Sequence, residues 1–339
     1  MRRREFIAGS GVIVVTATAG RPLCADAQSP TSKRIAIVSP GEKLELMSIK
    51  GSRAYVAYFH ELNRLGYVEG QNLVVERLTA LGQSERHENV ARAAIESRPD
   101  LIICIGTALA LRLKSLTTTI PIVATSADPV ALGLITNLAR PEGNITGASA
   151  DAGIGLWGKR LQFLREVVGT RLRNVRCLFS ATAIAWEASA PSLREAAQRV
   201  GASISAELLS GNVDQAAYER VFDLMDREQV DGLVIYDAPE HVYNRLFIVD
   251  LAAKHRLPTI YPYREFVEVG GLFSYGIDVA DLMRRLAVTT DQILKGARPG
   301  DIPFFQPTKF DLVLNRTTVK SLGLEFPADL LSVADEVIE

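Results

Sequence analysis

The polar residues best placed to bind a small molecule stand directly behind the apolar strands of this chain. Gly106-Thr107 closes the run Asp100-Leu-Ile-Ile-Cys-Ile and opens the helical stretch Ala108-Leu-Ala-Leu-Arg-Leu-Lys. The first N–H groups of a helix have no partner inside it, so such a start suits a carboxylate or other anion. Thr125-Ser126-Ala127-Asp128-Pro129 repeats the device, with Pro129 expected as a first helical residue. Asp278 opens another helix, Val279-Ala-Asp-Leu-Met-Arg-Arg-Leu. Asp128 and Asp278 suit helix caps, and an acid at a strand end can also receive an ammonium group; both readings stay open. Further on, Tyr236-Asp237, Tyr261, Tyr263 and Tyr275 follow apolar runs. Tyrosines there belong to a core or stack on a flat ligand and hydrogen-bond it.

Other chemistries find no support. Gly153-Ile-Gly155-Leu-Trp157-Gly158 spells the dinucleotide pattern, but small and polar residues, Gly147 to Ala152, precede it instead of a buried strand. These glycines read as a flexible entry to a second lobe. There is no P-loop, nucleophile elbow or catalytic triad in sequence context, so no enzymatic activity and no cofactor is expected. His60, His87, His241 and His255 lack metal-ligand spacing, and no metal site is expected. Cys104 and Cys177 fall inside strands of different lobes and read as buried free thiols.

The elements that position these residues come in two similar sets. A helical stretch from Val90, the strand ending at Gly106, the strand Ile120–Ser126 and the segment Asn144–Gly147 recur in order as Val221–Gln229, Asp231–Asp237, Leu257–Tyr261 and Gly270–Gly276. Opening strands lie upstream at Arg34–Val38 and Asn174–Phe179. Short apolar strands alternating with helices specify an α/β fold with parallel sheets covered by helices. Two such units predict two doubly wound lobes that turn their strand-end loops toward one cleft.

The N-terminus bears on the compartment. Arg3-Arg4-Glu5-Phe6-Ile7, a short apolar stretch to Gly20, and Ala25-Asp26-Ala27 form a twin-arginine-like export signal with cleavage near Ala27. Without residues 1–27, Lys+Arg falls from 38 to 34 and Asp+Glu from 39 to 37, moving net charge from −1 to −3. That balance gives no support for a nucleic-acid partner. The mature chain is expected to be periplasmic.

Several passages carry a family resemblance: Leu65-Gly66-Tyr67-Val68-Glu69-Gly70-Gln71-Asn72-Leu73, Arg140-Pro-Glu-Gly-Asn144-Ile-Thr-Gly147 and Arg264-Glu265-Phe266-Val267-Glu268-Val269-Gly270-Gly271-Leu272. With the tail Gln306–Asn315 and Ala334–Glu339, the chain resembles the ABC-transporter substrate-binding proteins of the tryptophan/tyrosine-binding type. The resemblance implies the type I periplasmic binding protein fold with three crossovers, near Gly147–Ser149, Gly271–Gly276 and Pro303–Gln306. Lobe 1 would hold residues 32–148 and 275–303, and lobe 2 residues 149–274 and 304–339. Gly106, Thr107, Ser126 and Asp128 would contact ligand from lobe 1, and Tyr236, Asp237, Tyr261 and Asp278 from the far wall and hinge, with Asp278 favoured for an ammonium. Relatives often carry Pro-Glu-Leu-Ser where this chain has the glycines around Trp157. The implied function is solute binding for an ABC importer, as a monomer with permease and ATPase partners, binding a small solute of aromatic or amino-acid-like character by clamp closure. A sensing subunit for a receptor kinase uses the same clamp; an exported α/β enzyme is the remaining alternative.

Overall fold

The computed structural model describes residues 32–150, 154–179, 183–209 and 213–339. The export signal with Cys24, and Gly153 of the glycine motif, lie outside the described residues. The first half runs β1 (Lys33–Ser39), α1 (Arg53–Arg64), β2 (Leu73–Thr79), α2 (His87–Glu96), β3 (Leu101–Cys104), α3 (Thr107–Leu116), β4 (Ile122–Ser126) and β5 (Ile145–Ser149). The second runs α4 (Ile154–Val168), β6 (Asn174–Phe179), α5 (Ala183–Arg199), β7 (Ser203–Leu208), α6 (Gln215–Arg227), β8 (Gly232–Ile235), α7 (Pro239–Tyr243), α8 (Arg245–Lys254), β9 (Thr259–Tyr261), α9 (Arg264–Val267) and β10 (Phe273–Gly276). Then come α10 (Val279–Leu294), β11 (Asp311–Asn315), α11 (Arg316–Ser321), α12 (Ala328–Ser332) and β12 (Glu336–Ile338).

Two sheets result. One has the strand order β2-β1-β3-β4-β5; the other has β7-β6-β8-β9-β10, extended by β11 and β12. The first five strands of each follow the same order, so the repeat seen in the sequence is a repeat of topology. The pairings are parallel except β10 with β11, where Phe273 faces Leu314 and Gly276 faces Asp311. The uniformly parallel expectation misses this pair because the chain returns to the second sheet after α10.

Strands β3, β4 and β8 are buried at every residue, as parallel strands covered on both faces must be. Helix α1 buries Tyr55, Tyr58, Phe59 and Leu62, one stripe of a 3.6-residue period. Against it lies α10, which buries Leu282, Met283, Leu286 and Thr290; the Tyr58 hydroxyl and Thr290 Oγ1 sit 3.1 Å apart. Thus α10, although it follows β10 of the second sheet, packs on the first.

The chain passes between the sheets after β5, before α10 and before β11. Two passages run side by side: Phe305 N–H donates to Gly147 O at 2.8 Å, and Ser149 N–H donates to Phe305 O at 2.7 Å. Gly147 is required there, because a Cβ would fall 1.8 Å from Ala124 O. Gly276, at the corresponding place in the second sheet, lies equally close to Pro262 O, with a Cβ at 1.9 Å.

Two local expectations are corrected. Gly155 and Gly158 lie inside α4 and not in a flexible entry. Glycine costs about 1 kcal/mol in a helix interior, and burial of Leu156, Trp157 and Leu161 on the same helix outweighs that. After Asp128 no helix forms. Residues 129–133 are turns, closed by Leu134 and Ile135 N–H groups donating to Pro129 O and by Gly133 at φ +73°.

Candidate functional site

Between the sheets lies a cleft of about 1170 Å³, lined from the first sheet by the loops after β1, β3 and β4 and by the start of α1. From the second sheet come the segment after β8 with α7, and the segment from Tyr263 to Glu265. Of the residues singled out in the sequence, Gly106, Thr107, Ser126, Tyr236 and Asp237 line it together, and Asp128, Tyr261 and Asp278 do not.

Gly106 caps α3 at φ +90°, and its N–H donates to Thr125 Oγ1 at 2.9 Å. Thr107 Oγ1 accepts from Ala127 N–H at 3.2 Å and sits 2.8 Å from Ser126 Oγ, so two loops present one paired-hydroxyl surface. The opposite wall is rigid. Tyr236, 5% exposed, stacks on Phe179 with centroids 4.1 Å apart and runs parallel to Trp157 at 5.7 Å. Beside it Asp237 pairs with Arg160, whose Nη1 is 2.8 Å from Oδ1; both side chains are 1% exposed. Arg160 also donates from Nε to Tyr275 O at 2.8 Å and lies over the Trp157 ring at 4.8 Å. Trp157 therefore acts behind the wall, holding Tyr236 and Arg160.

The other three residues have structural work. Asp128 is exposed and caps the turn after β4 by accepting from Val130 and Ala131 N–H groups. Tyr261 is 1% exposed and stacks on Phe266 at 5.0 Å, inside the second lobe. Asp278 caps α10 through Ala280 N–H and binds Arg53 Nη2 at 2.6 Å. Its partial burial favours the neutral carboxyl, but the Arg53 hydrogen bond and charge outweigh that and hold it below the usual carboxylate range.

Residues that sequence reasoning passed over also line the cleft. Glu265 lines the cleft; its Oε2 is buried without a hydrogen-bond partner, and Arg53 Nη1 stands 3.9 Å from Oε1. Burial, ahead of the charges of Glu268 and Asp278, pushes its carboxyl above the ordinary value. Tyr55 Oη and Ser52 Oγ are likewise buried, unpartnered and on the lining. Ser52 stands at the N-cap of α1 without capping it. Glu265 sits in the four-residue α9, too short to show a face.

At the mouth the lobes touch. The sites of Gly41 and Gly106 lie so close to α7 that a Cβ would meet Tyr243 Cβ at 2.9 Å and Pro239 Cγ at 3.0 Å, respectively. Among the described residues, no group of three or more His, Cys, Asp or Glu converges in a way that could hold a metal ion. Cys104 and Cys177 are free and buried, with thiols pushed up by burial. No described helix is long and apolar enough to cross a membrane.

Comparison with known proteins agrees with this architecture. The tyrosine-binding protein of Clostridioides difficile (strain R20291) is 23% identical over 278 residues, covering 80% of this chain and 77% of that protein. Among solved structures, the ABC domain in complex with L-Trp from Streptococcus pneumonia superposes with a TM-score of 0.80 at 21% identity, covering 91% of this chain and 100% of that one. A conserved domain protein from Vibrio cholerae O1 biovar eltor gives a TM-score of 0.80 at 23% identity, covering 90% and 99%. These likenesses extend the type I periplasmic binding protein fold to this chain. The profile of the ABC transporter substrate binding protein family matches residues 53–338, and the chain belongs to that family.

Proposed function

We propose that this protein is the solute-binding component of an ABC importer, exported by its twin-arginine-like leader and working in the periplasm with a permease and an ATPase. It binds a small solute of aromatic or amino-acid-like character and performs no chemistry on it. The observation that carries this reading is the cleft itself, whose walls come from strand-end loops of two sheets and whose rims meet at glycines. A ligand that touches both walls stabilises the shut form, and binding shifts the population toward it. The two lobes, with β5 through Ser149 in the first and β10 through Gly276 in the second, supply the rigid bodies. Thr107 and Ser126 offer the ligand hydroxyls, Gly106 leaves room for close approach, and Tyr236 with Asp237 forms the fixed wall. The relatives, a tyrosine-binding protein and an L-Trp complex, support an aromatic amino acid.

Mass spectrometry of the small molecules released on denaturing the purified protein identifies the solute class. Scattering with that solute is expected to show a smaller radius of gyration. An unchanged radius at saturating solute refutes the clamp.

A further inference from the structure

Most buried polar groups in folded proteins find a partner, so several unpaired ones on one cavity wall describe what the cavity is built to hold. Glu265 Oε2, Tyr55 Oη and Ser52 Oγ are buried, lack hydrogen-bond partners and line the same cleft. Tyr55 is 3% exposed overall. All three can accept a hydrogen bond, and one carries negative charge when ionised. The charged groups around Glu265 are Arg53 from α1, Glu268 from its own segment and Asp278 from the start of α10. Arg53 is the cation among them and spends its 2.6 Å contact on Asp278. The corner is thus acidic, with one carboxylate oxygen left over.

We propose that Glu265 is the receptor for a cationic nitrogen of the ligand, an ammonium, with the Ser52 and Tyr55 hydroxyls as flanking acceptors. An ammonium has three N–H donors; the Glu265 and Ser52 oxygens are unpaired, and Tyr55 Oη, near the Ser39 side chain, keeps lone pairs with which to accept. Asp278, the acid favoured from sequence, is unsuited because Arg53 and the first turn of α10 already occupy it. This inference rests on the solute-binding reading and narrows its solute to an α-amino acid or an amine.

The test is calorimetry of the wild type and of Glu265→Gln, Ser52→Ala and Tyr55→Phe against the twenty L-amino acids. The best binder is then compared with its deaminated acid and its decarboxylated amine. Glu265→Gln keeps shape and removes charge. It is expected to weaken the amino acid and the amine by about 10- to 100-fold, the size of a lost hydrogen bond to a charged group, and to leave the deaminated acid unchanged. Ser52→Ala and Tyr55→Phe are expected to weaken the amino acid severalfold. If Glu265→Gln binds the amino acid within twofold of wild type, or loses the deaminated acid equally, the ammonium assignment is overturned while solute binding stands. A non-aromatic amino acid with the same Glu265 dependence upholds the assignment and overturns the aromatic reading. A wild type that binds no amino acid and no amine overturns both.

Discussion

Asp237 raises a question that one substitution resolves. A carboxylate on a cleft wall looks like a ligand contact, yet its partner Arg160 is sealed in the second lobe, each side chain 1% exposed. In Asp237→Ala the guanidinium keeps Tyr275 O and the Trp157 face but loses its counter-charge. Leaving one member of a buried pair uncompensated costs about 3–5 kcal/mol, a large part of the roughly 5–15 kcal/mol by which domains are stable. Arg160→Met with Asp237→Ala removes both charges and is expected to cost far less than the two single changes summed, so the double-mutant cycle should show a coupling above about 2 kcal/mol. Urea unfolding of ligand-free protein, read by tryptophan fluorescence, is the assay. Both tryptophans, Trp157 and Trp186, belong to the aromatic cluster beside the pair. Ligand-free protein matters, because bound solute would add its own stabilisation. If Asp237→Ala unfolds within about 1 kcal/mol of wild type, the buried pair does not hold the wall together, and a ligand role for Asp237 gains support.

A buried histidine and a crowded rim glycine are open to the same kind of test. His241 is fully buried, its Nδ1 facing the Tyr218 hydroxyl at 2.9 Å and its Nε2 facing Leu178 O at 3.1 Å; burial pushes its pKa down to about 4. Between pH 6.5 and about 4 the unfolded chain takes a proton that the folded one refuses, so stability present above pH 6.5 falls by about 3 kcal/mol on acidification. Unfolding curves over that range should be steeper in pH for wild type than for His241→Phe, and parallel curves would refute this. At the rim, Gly41→Ala places a methyl 2.9 Å from Tyr243 Cβ. It should leave the melting temperature unchanged and weaken solute binding about 5- to 10-fold by resisting closure, equivalent to roughly 1 kcal/mol of overpacking; unchanged affinity in calorimetry would remove the rim from the closing step.

The repeated order of apolar strands and helices made the two-lobed fold legible, because parallel strands must be buried on both faces and read as continuous apolar runs. That same property hid part of the site. Thr259, Ile260 and Tyr261 are all buried in β9, so nothing in the strand's pattern separates a tyrosine facing the cleft from one facing the core. The loops after β3, β4 and β8 were legible because strand ends in this architecture open onto the crevice. The pairing of Asp278 with Arg53 was hidden because Arg53 lies 225 residues away in sequence. Glu265 was passed over because a charged residue in a short helical turn ordinarily faces water, and only the fold shows its oxygen turned inward without a partner.

The paired passages at Gly147 and Phe305 restrict how the two halves can move. Two peptide segments laced to each other by N–H···O contacts of 2.8 and 2.7 Å form a narrow ribbon. Such a ribbon yields to torsion and resists shear, since sliding one strand along the other would break both contacts at once while a small twist keeps them. If the two halves close as proposed, these contacts favour a hinge with one principal angle. Under that proposal, solutes of different bulk would stop the angle at different values without changing which residues face each other, and the angle itself would become a gauge of what has been captured.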